Sequence, residues 1–181
     1  TQTGDAGWST LGSGANDTVT VLAAIDTDLY VGGGFSIAGG NDASRIAVYD
    51  TTQSGDAGWS ALGNGVDDWV LALTAIGTKL YVGGYFIDAG GSSANYIAVY
   101  DTTQIGDAGW STLGGGLNYY VFALGAIGTD LFVGGWFNRQ ADFSGYRFAA
   151  QSLALYDTTQ TGGAGWRALG GGVNDNVSAL A

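Results

Sequence analysis

Apolar positions along the chain fall in short runs, each bounded by glycine, asparagine, aspartate or threonine, and the same runs keep returning. Val19-Thr20-Val21-Leu22 is followed by Leu29-Tyr30-Val31 and then by Ile46-Ala47-Val48-Tyr49. These runs are rich in β-branched and aromatic residues and are closed by turn formers, which is the signature of strands. No segment sustains a 3.6-residue apolar stripe over ten residues, and glycines interrupt every candidate helix. The pattern predicts an all-β chain.

The order of the runs is periodic. Trp8, Trp59, Trp110 and Trp166 each sit in AGW-x-x-LG-x-G, at spacings of 51, 51 and 56 residues. Between tryptophans the chain reads V-x-x-L-x-A-I, L-[YF]-V-G-G-x-F, [IL]-A-[VL]-Y-D and then the next G-W. Four strands in about 51 residues match one blade of a β-propeller. Running outward they are A (VTVLAAI), B (LYVGG), C (IAVYD) and D (GWSAL). The expected architecture is a single propeller segment over residues 1–181, with repeat starts near 8, 59, 110 and 166 and about three and a half four-stranded blades. The double glycine lets strand B approach its neighbours closely, or take a backbone conformation barred to residues with Cβ. The tryptophans are expected to fill the space between blades. The chain opens in strand D, stops within a fourth strand A and lacks an initiator Met. It is therefore expected to be part of a longer propeller, closed by further blades or by a second chain.

The wording LYVGG … AVYD … GDAGW resembles a kelch-type blade. Gly32-Gly33, Tyr49-Asp50 and Trp59 match that pattern in order, as do Gly83-Gly84, Tyr100-Asp101 and Trp110, and Gly134-Gly135, Tyr156-Asp157 and Trp166. The fuller form, LYVGG-x-F-x-x-AGG and then IAVYD, is similar to kelch-like repeats of microbial cell-surface proteins and fungal cortical polarity markers. The resemblance covers essentially the whole chain. It implies a propeller fold and an extracellular or cell-surface location. It implies activity only weakly, because kelch-like propellers serve as scaffolds, as binding modules and, in galactose oxidase, as an enzyme domain.

Composition narrows the function. Apolar residues are 46% of the chain, and the 34 glycines recur at fixed positions, so neither disorder nor low complexity fits. The net charge is −11, with five basic residues, a field that repels nucleic acid and anionic lipid. No apolar run approaches a membrane span. Cys, His, Met and Pro are absent, so thiolate and imidazole chemistry is excluded. Galactose oxidase activity, which needs Cys and His beside Tyr, does not carry over. The chain is expected not to be an enzyme, since adjacent carboxylates such as Asp67 and Asp68 point to opposite sides of a strand.

Candidate binding residues stand where the units differ. In the D–A loops the variable columns are Asp17, Asp68, Tyr119, Asp175 and then Thr18, Trp69, Tyr120, Asn176; after the double glycine the column runs Gly34, Tyr85, Trp136. Trp69, Tyr85, Tyr119, Tyr120 and Trp136 thus add rings to units two and three, on the face expected to carry the ligand. Aromatic faces beside Asp and Asn suit sugars; packing against neighbouring loops and contact with a protein partner are the competing readings. The third B–C loop is five residues longer and brings Arg139, Tyr146 and Arg147, with Phe143 and Phe148. It reads as a recognition loop or as cover for a blade edge. Asp67 and Asp68 offer hard oxygens to calcium, the one candidate cofactor, although Asp and Asn are also ordinary turn residues. The expected function is a non-catalytic surface binding module for a glycan or a surface protein, associated with adhesion. The alternatives are a purely structural repeat region of a large adhesin, and an arc of an enzyme propeller whose catalytic residues lie elsewhere.

Overall fold

The computed structural model describes residues 9–139 and 150–180. The chain is all-β. The first unit contains β1 (Val19–Ile25), β2 (Asp28–Gly33), the short pair β3 (Ile37–Ala38) and β4 (Asn41–Asp42), β5 (Ile46–Asp50) and β6 (Trp59–Ala61). The second contains β7 (Val70–Ile76), β8 (Lys79–Gly84), β9 (Asp88–Ala89), β10 (Ser92–Ser93), β11 (Ile97–Asp101) and β12 (Trp110–Thr112). The third contains β13 (Val121–Ile127), β14 (Asp130–Gly135), β15 (Leu153–Asp157) and β16 (Trp166–Ala168). These strands form three four-stranded antiparallel sheets, ordered β1-β2-β5-β6, β7-β8-β11-β12 and β13-β14-β15-β16, and β3-β4 and β9-β10 add two small hairpins. The arrangement is β-propeller-like.

Local chemistry sets the elements. The first two strands of each sheet are joined by two-residue loops whose first residue is left-handed: Asp26 (φ 52°), Gly77 (φ 59°) and Gly128 (φ 60°), as tight hairpins require. At the far end, Asp50, Asp101 and Asp157 accept from the backbone N–H and hydroxyl of Thr52, Thr103 and Thr159, closing the turn after the third strand. A 3-10 turn then leads into each tryptophan strand, at Gly55–Gly58, Gly106–Gly109 and Gly162–Gly165.

The sheets stack through their inner strands. Ile46, Leu62, Val70, Leu80, Val82 and Phe86 form a core between the first and second sheets, and Ile97, Leu113, Leu117, Val121, Leu131 and Val133 form one between the second and third. The double glycines are a device for close approach. A Cβ on Gly32, Gly83 or Gly134 would lie 2.4–2.5 Å from a methyl of Val70, Val121 or Val177 in the next unit. A Cβ on Gly33, Gly84 or Gly135 would lie 2.0–2.1 Å from the carbonyl oxygen of Thr18, Trp69 or Tyr120. None of the six has positive φ, so the close-approach reading holds and the backbone-conformation reading does not. The tryptophans also span units. The indole N–H of Trp59, Trp110 and Trp166 donates to the carbonyl of Leu11, Leu62 and Leu113 at 2.8 Å, and each ring meets Tyr49, Tyr100 or Tyr156 edge-on at 5.0–5.2 Å.

One expectation needs correction. Val177 to Leu180 do not form a strand. The segment sits where an inner strand belongs, with Val177 against Gly134, but among the described residues it pairs with no strand, whereas β1, β7 and β13 each pair with the double-glycine strand of their own unit. The recurrent aspartates of the GDAG turns do more than shape those turns. Asp56 accepts from the backbone N–H and hydroxyl of Ser13, and Asp107 from the backbone N–H and side-chain amide of Asn64, so each latches one unit to the loop of the unit before it.

Candidate ligand-binding site

The loops joining one unit to the next lie against the short hairpins, held by one repeated clamp. Asn16 Oδ1 accepts from the backbone N–H groups of Ser36 and Ile37, Asp67 Oδ1 from Ile87 and Asp88, and Asn118 Oδ1 from Asn138 and Arg139, at 2.9–3.1 Å. Arg139 therefore begins its loop as Ile37 and Asp88 begin theirs. One residue later, Asp17, Asp68 and Asp175 each accept from the next backbone N–H at 2.6–2.7 Å. Both candidate calcium ligands thus have an oxygen engaged by backbone. Among the described residues, no group of three or more His, Cys, Asp or Glu side chains is arranged to hold a metal ion.

The variable aromatics divide into two sets. A Cβ on Gly34 would lie 2.6 Å from the Trp69 ring, so Trp69 lies across the first unit and requires glycine there. Tyr85 meets Tyr120 of the next unit at 4.4 Å and Phe122 at 6.2 Å, and Tyr96 reaches Tyr119 and Tyr120 at 6.0 and 5.5 Å. The column after the double glycine is thus matched to the loop residue of the following unit: Gly34 under Trp69, Tyr85 against Tyr120. The second set faces solvent. Tyr119 and Trp136 meet at 4.9 Å with their planes 69° apart, and they are 36% and 55% exposed. They make an open corner of two ring faces. The Tyr119 hydroxyl bonded to Tyr120, together with the neighbouring phenols, holds Tyr120 above the ordinary phenol range.

A cavity of about 480 Å³ opens beside this corner. Asn118, Asn138, Gln151, Asn174 and Ser152 share its lining with Tyr119 and Trp136; Phe137 and Val173 complete it. Its origin lies in one column that the sequence reading did not single out. Arg45, Tyr96 and Ser152 occupy equivalent positions, all left-handed at φ 66°, 69° and 61°. Their backbone N–H groups donate to Phe35, Phe86 and Phe137, and their carbonyls accept from Gly33, Gly84 and Gly135. Only the side chain differs. Arg45 donates back to the Phe35 carbonyl, Tyr96 packs on the tyrosine pair, and Ser152 brings only a small side chain to the cavity wall. The signal was readable as SRI, NYI and QSL ahead of the third strand, where two large residues give way to a small one.

Of the sequence candidates, the structure joins Tyr85, Tyr119, Tyr120 and Trp136 in one ring network and places Trp69 apart from it, over Gly34. Tyr146 and Arg147 lie outside the described residues, as do Phe143 and Phe148.

No known family model matches the chain, and no curated protein matches it. Solved structures do. The chain is similar to the computationally designed Ika4 protein, with a TM-score of 0.57 at 17% identity over 96% of this chain and 86% of that one. It is also similar to the computationally designed Ika8 protein, with a TM-score of 0.56 at 18% identity. There the match spans 94% of this chain and 42% of the length of the other. At these identities the likeness is one of fold.

Proposed function

We propose that this chain is a non-catalytic binding module of the kelch-like propeller type, built from about three and a half four-stranded blades and displayed outside the cell or on its surface, with a glycan as its ligand. The observation that carries the reading is the exposed Tyr119–Trp136 corner opening onto an amide-lined cavity of about 480 Å³. That volume is in the range of small-molecule sites, roughly 300–1,000 Å³. A pyranose offers a C–H face to a ring and hydroxyls to amides, so this combination of side chains suits it. A glycan screen tests the reading. Trp136→Ala is expected to weaken sugar binding at least tenfold with little change in melting temperature, and the absence of any bound sugar would remove the proposal.

A second reading, a purely structural repeat, is favoured by Trp69, Tyr85 and Tyr120, whose rings lie against neighbouring units. On that reading Trp69→Ala and Trp136→Ala differ only in stability. Calcium enters neither reading: with Asp67 and Asp68 serving as backbone acceptors, the melting temperature is expected to be the same with and without EDTA. A fall of several degrees in EDTA would restore a structural ion.

A further inference from the structure

We infer that the cavity accepts an uncharged sugar ring, and that Ser152 is the residue that makes room for it. The inference rests on the glycan reading above and narrows it. Among the described residues lining the cavity, none carries a charge; its polar groups are side-chain amides, a phenol and a hydroxyl. Amides and hydroxyls both donate and accept, as sugar hydroxyls do. Asn118 is already committed to the clamp, and its amide nitrogen donates to Asn138 Oδ1. It therefore holds Asn138, itself part of the lining, through its Oδ1. Asn174 stands in the clamp column of Asn16, Asp67 and Asn118 and is part of the cavity wall.

A uronate or sulfated sugar brought against this lining would lose water without meeting a cation among the described lining residues, and the net charge of −11 opposes its approach. An amine-bearing sugar would find no carboxylate in the lining. Ser152 acts by size. Its backbone has the bonds that Arg45 and Tyr96 have, and its side chain is the smallest of the three. The first two units therefore have the same frame with a large side chain at this position, and the third has it with a small one beside the cavity.

The experiment uses isothermal titration of the purified chain with hexasaccharides of glucose, xylose, mannose and N-acetylglucosamine, and with galacturonic acid and glucosamine hexamers as charged counterparts. At least one neutral hexamer is expected to bind, with the charged ones at least tenfold weaker. Ser152→Tyr, which writes the second unit's residue into the third, is expected to lower the neutral affinity at least tenfold while the melting temperature stays within a few degrees. If Ser152→Tyr does not fold, Gln151→Ala at an exposed side chain reads the same cavity and is expected to weaken binding severalfold. Equal or tighter binding of a charged hexamer overturns the uncharged-ligand inference and leaves the glycan reading standing. Full affinity in the cavity variants overturns the assignment to this cavity. Failure of every hexamer to bind overturns the glycan reading itself.

Discussion

At the scale of single residues, the repeat depends on atoms that are missing. A methyl on Gly84 would lie 2.0 Å from the Trp69 carbonyl oxygen, a backbone atom that cannot swing aside. Gly91 is left-handed at φ 76°, with nothing near the position its Cβ would take. Gly84→Ala is therefore expected to cost about 3 kcal/mol through overpacking, and Gly91→Ala about 1 kcal/mol through conformation alone. Urea unfolding of both variants checks the order, and equal costs would mean that close approach is not what the double glycine provides. Titrating residues give a second test. The Lys79 ammonium and then the Thr103 hydroxyl pull Asp101 down to about 2, and the bonds to Thr52 and Thr159 lower Asp50 and Asp157. A depressed carboxyl stabilises the fold above its unfolded value near 4 and loses that contribution as pH falls through the folded value. At the other end, burial and then Asp28 push Tyr30 up to about 12, and burial raises Tyr81, Tyr100 and Tyr156. A raised phenol stabilises fully below about pH 10, and the contribution is lost as pH rises through the folded value. Thermal midpoints are expected to fall below about pH 4 and above about pH 10, the alkaline loss tracking phenolate absorbance. A flat profile across both windows would contradict these assignments.

At the scale of elements, each unit is fastened to its neighbour by a tryptophan bonded to a leucine carbonyl, and the first two also by an aspartate latched to a loop. The tryptophan was legible, because a large ring at a fixed interval has few places to go. The strands were legible too, each short and closed by turn residues. The latch was not, because Asp56 looks like any turn aspartate until Ser13, 43 residues earlier, is seen to donate to it. Yet the sequence holds its trace: Ser13 goes with Asp56 and Asn64 with Asp107, while Gly115 goes with Gly163. Where the loop loses its side-chain donor, the turn loses its acceptor. The candidate site was half legible for the same reason. The exposed rings stand out in a column comparison, whereas the cavity goes with a small side chain at Ser152 and with amide residues that look like loop filler. Installing the missing latch tests the account. The double variant Gly115→Asn with Gly163→Asp is expected to be more stable than the sum of its single variants by about 0.5–1 kcal/mol. Additivity within error would mean that the pairs in the other units are incidental.

At the scale of the whole molecule, the sheets are alike in sequence but unequal in what covers them. Val70 and Val121 are fully buried and Leu73 and Leu124 are 8% exposed, because the preceding sheet lies over each pair. Their counterparts in the first sheet, Val19 and Leu22, are 44% and 55% exposed. Stacked repeats draw much of their stability from nearest-neighbour contacts, and full burial of one such side chain contributes about 1.5–3 kcal/mol. The second sheet has neighbours on both faces, and its β8 and β11 hold Leu80, Val82, Ile97 and Ala98 at zero exposure. Local opening should follow this ranking. Amides of β8 and β11 are expected to exchange slowest and those of β1 fastest, and Leu73→Ala is expected to cost about 3 kcal/mol against less than about 1 kcal/mol for Leu22→Ala. Native-state hydrogen exchange read strand by strand distinguishes this from the alternative. Equal protection in all three sheets would mean that the interfaces are strong enough to make the stack unfold as one unit. Graded protection would mean that each sheet is held by what lies against it, with the exposed face of β1 the first place to open.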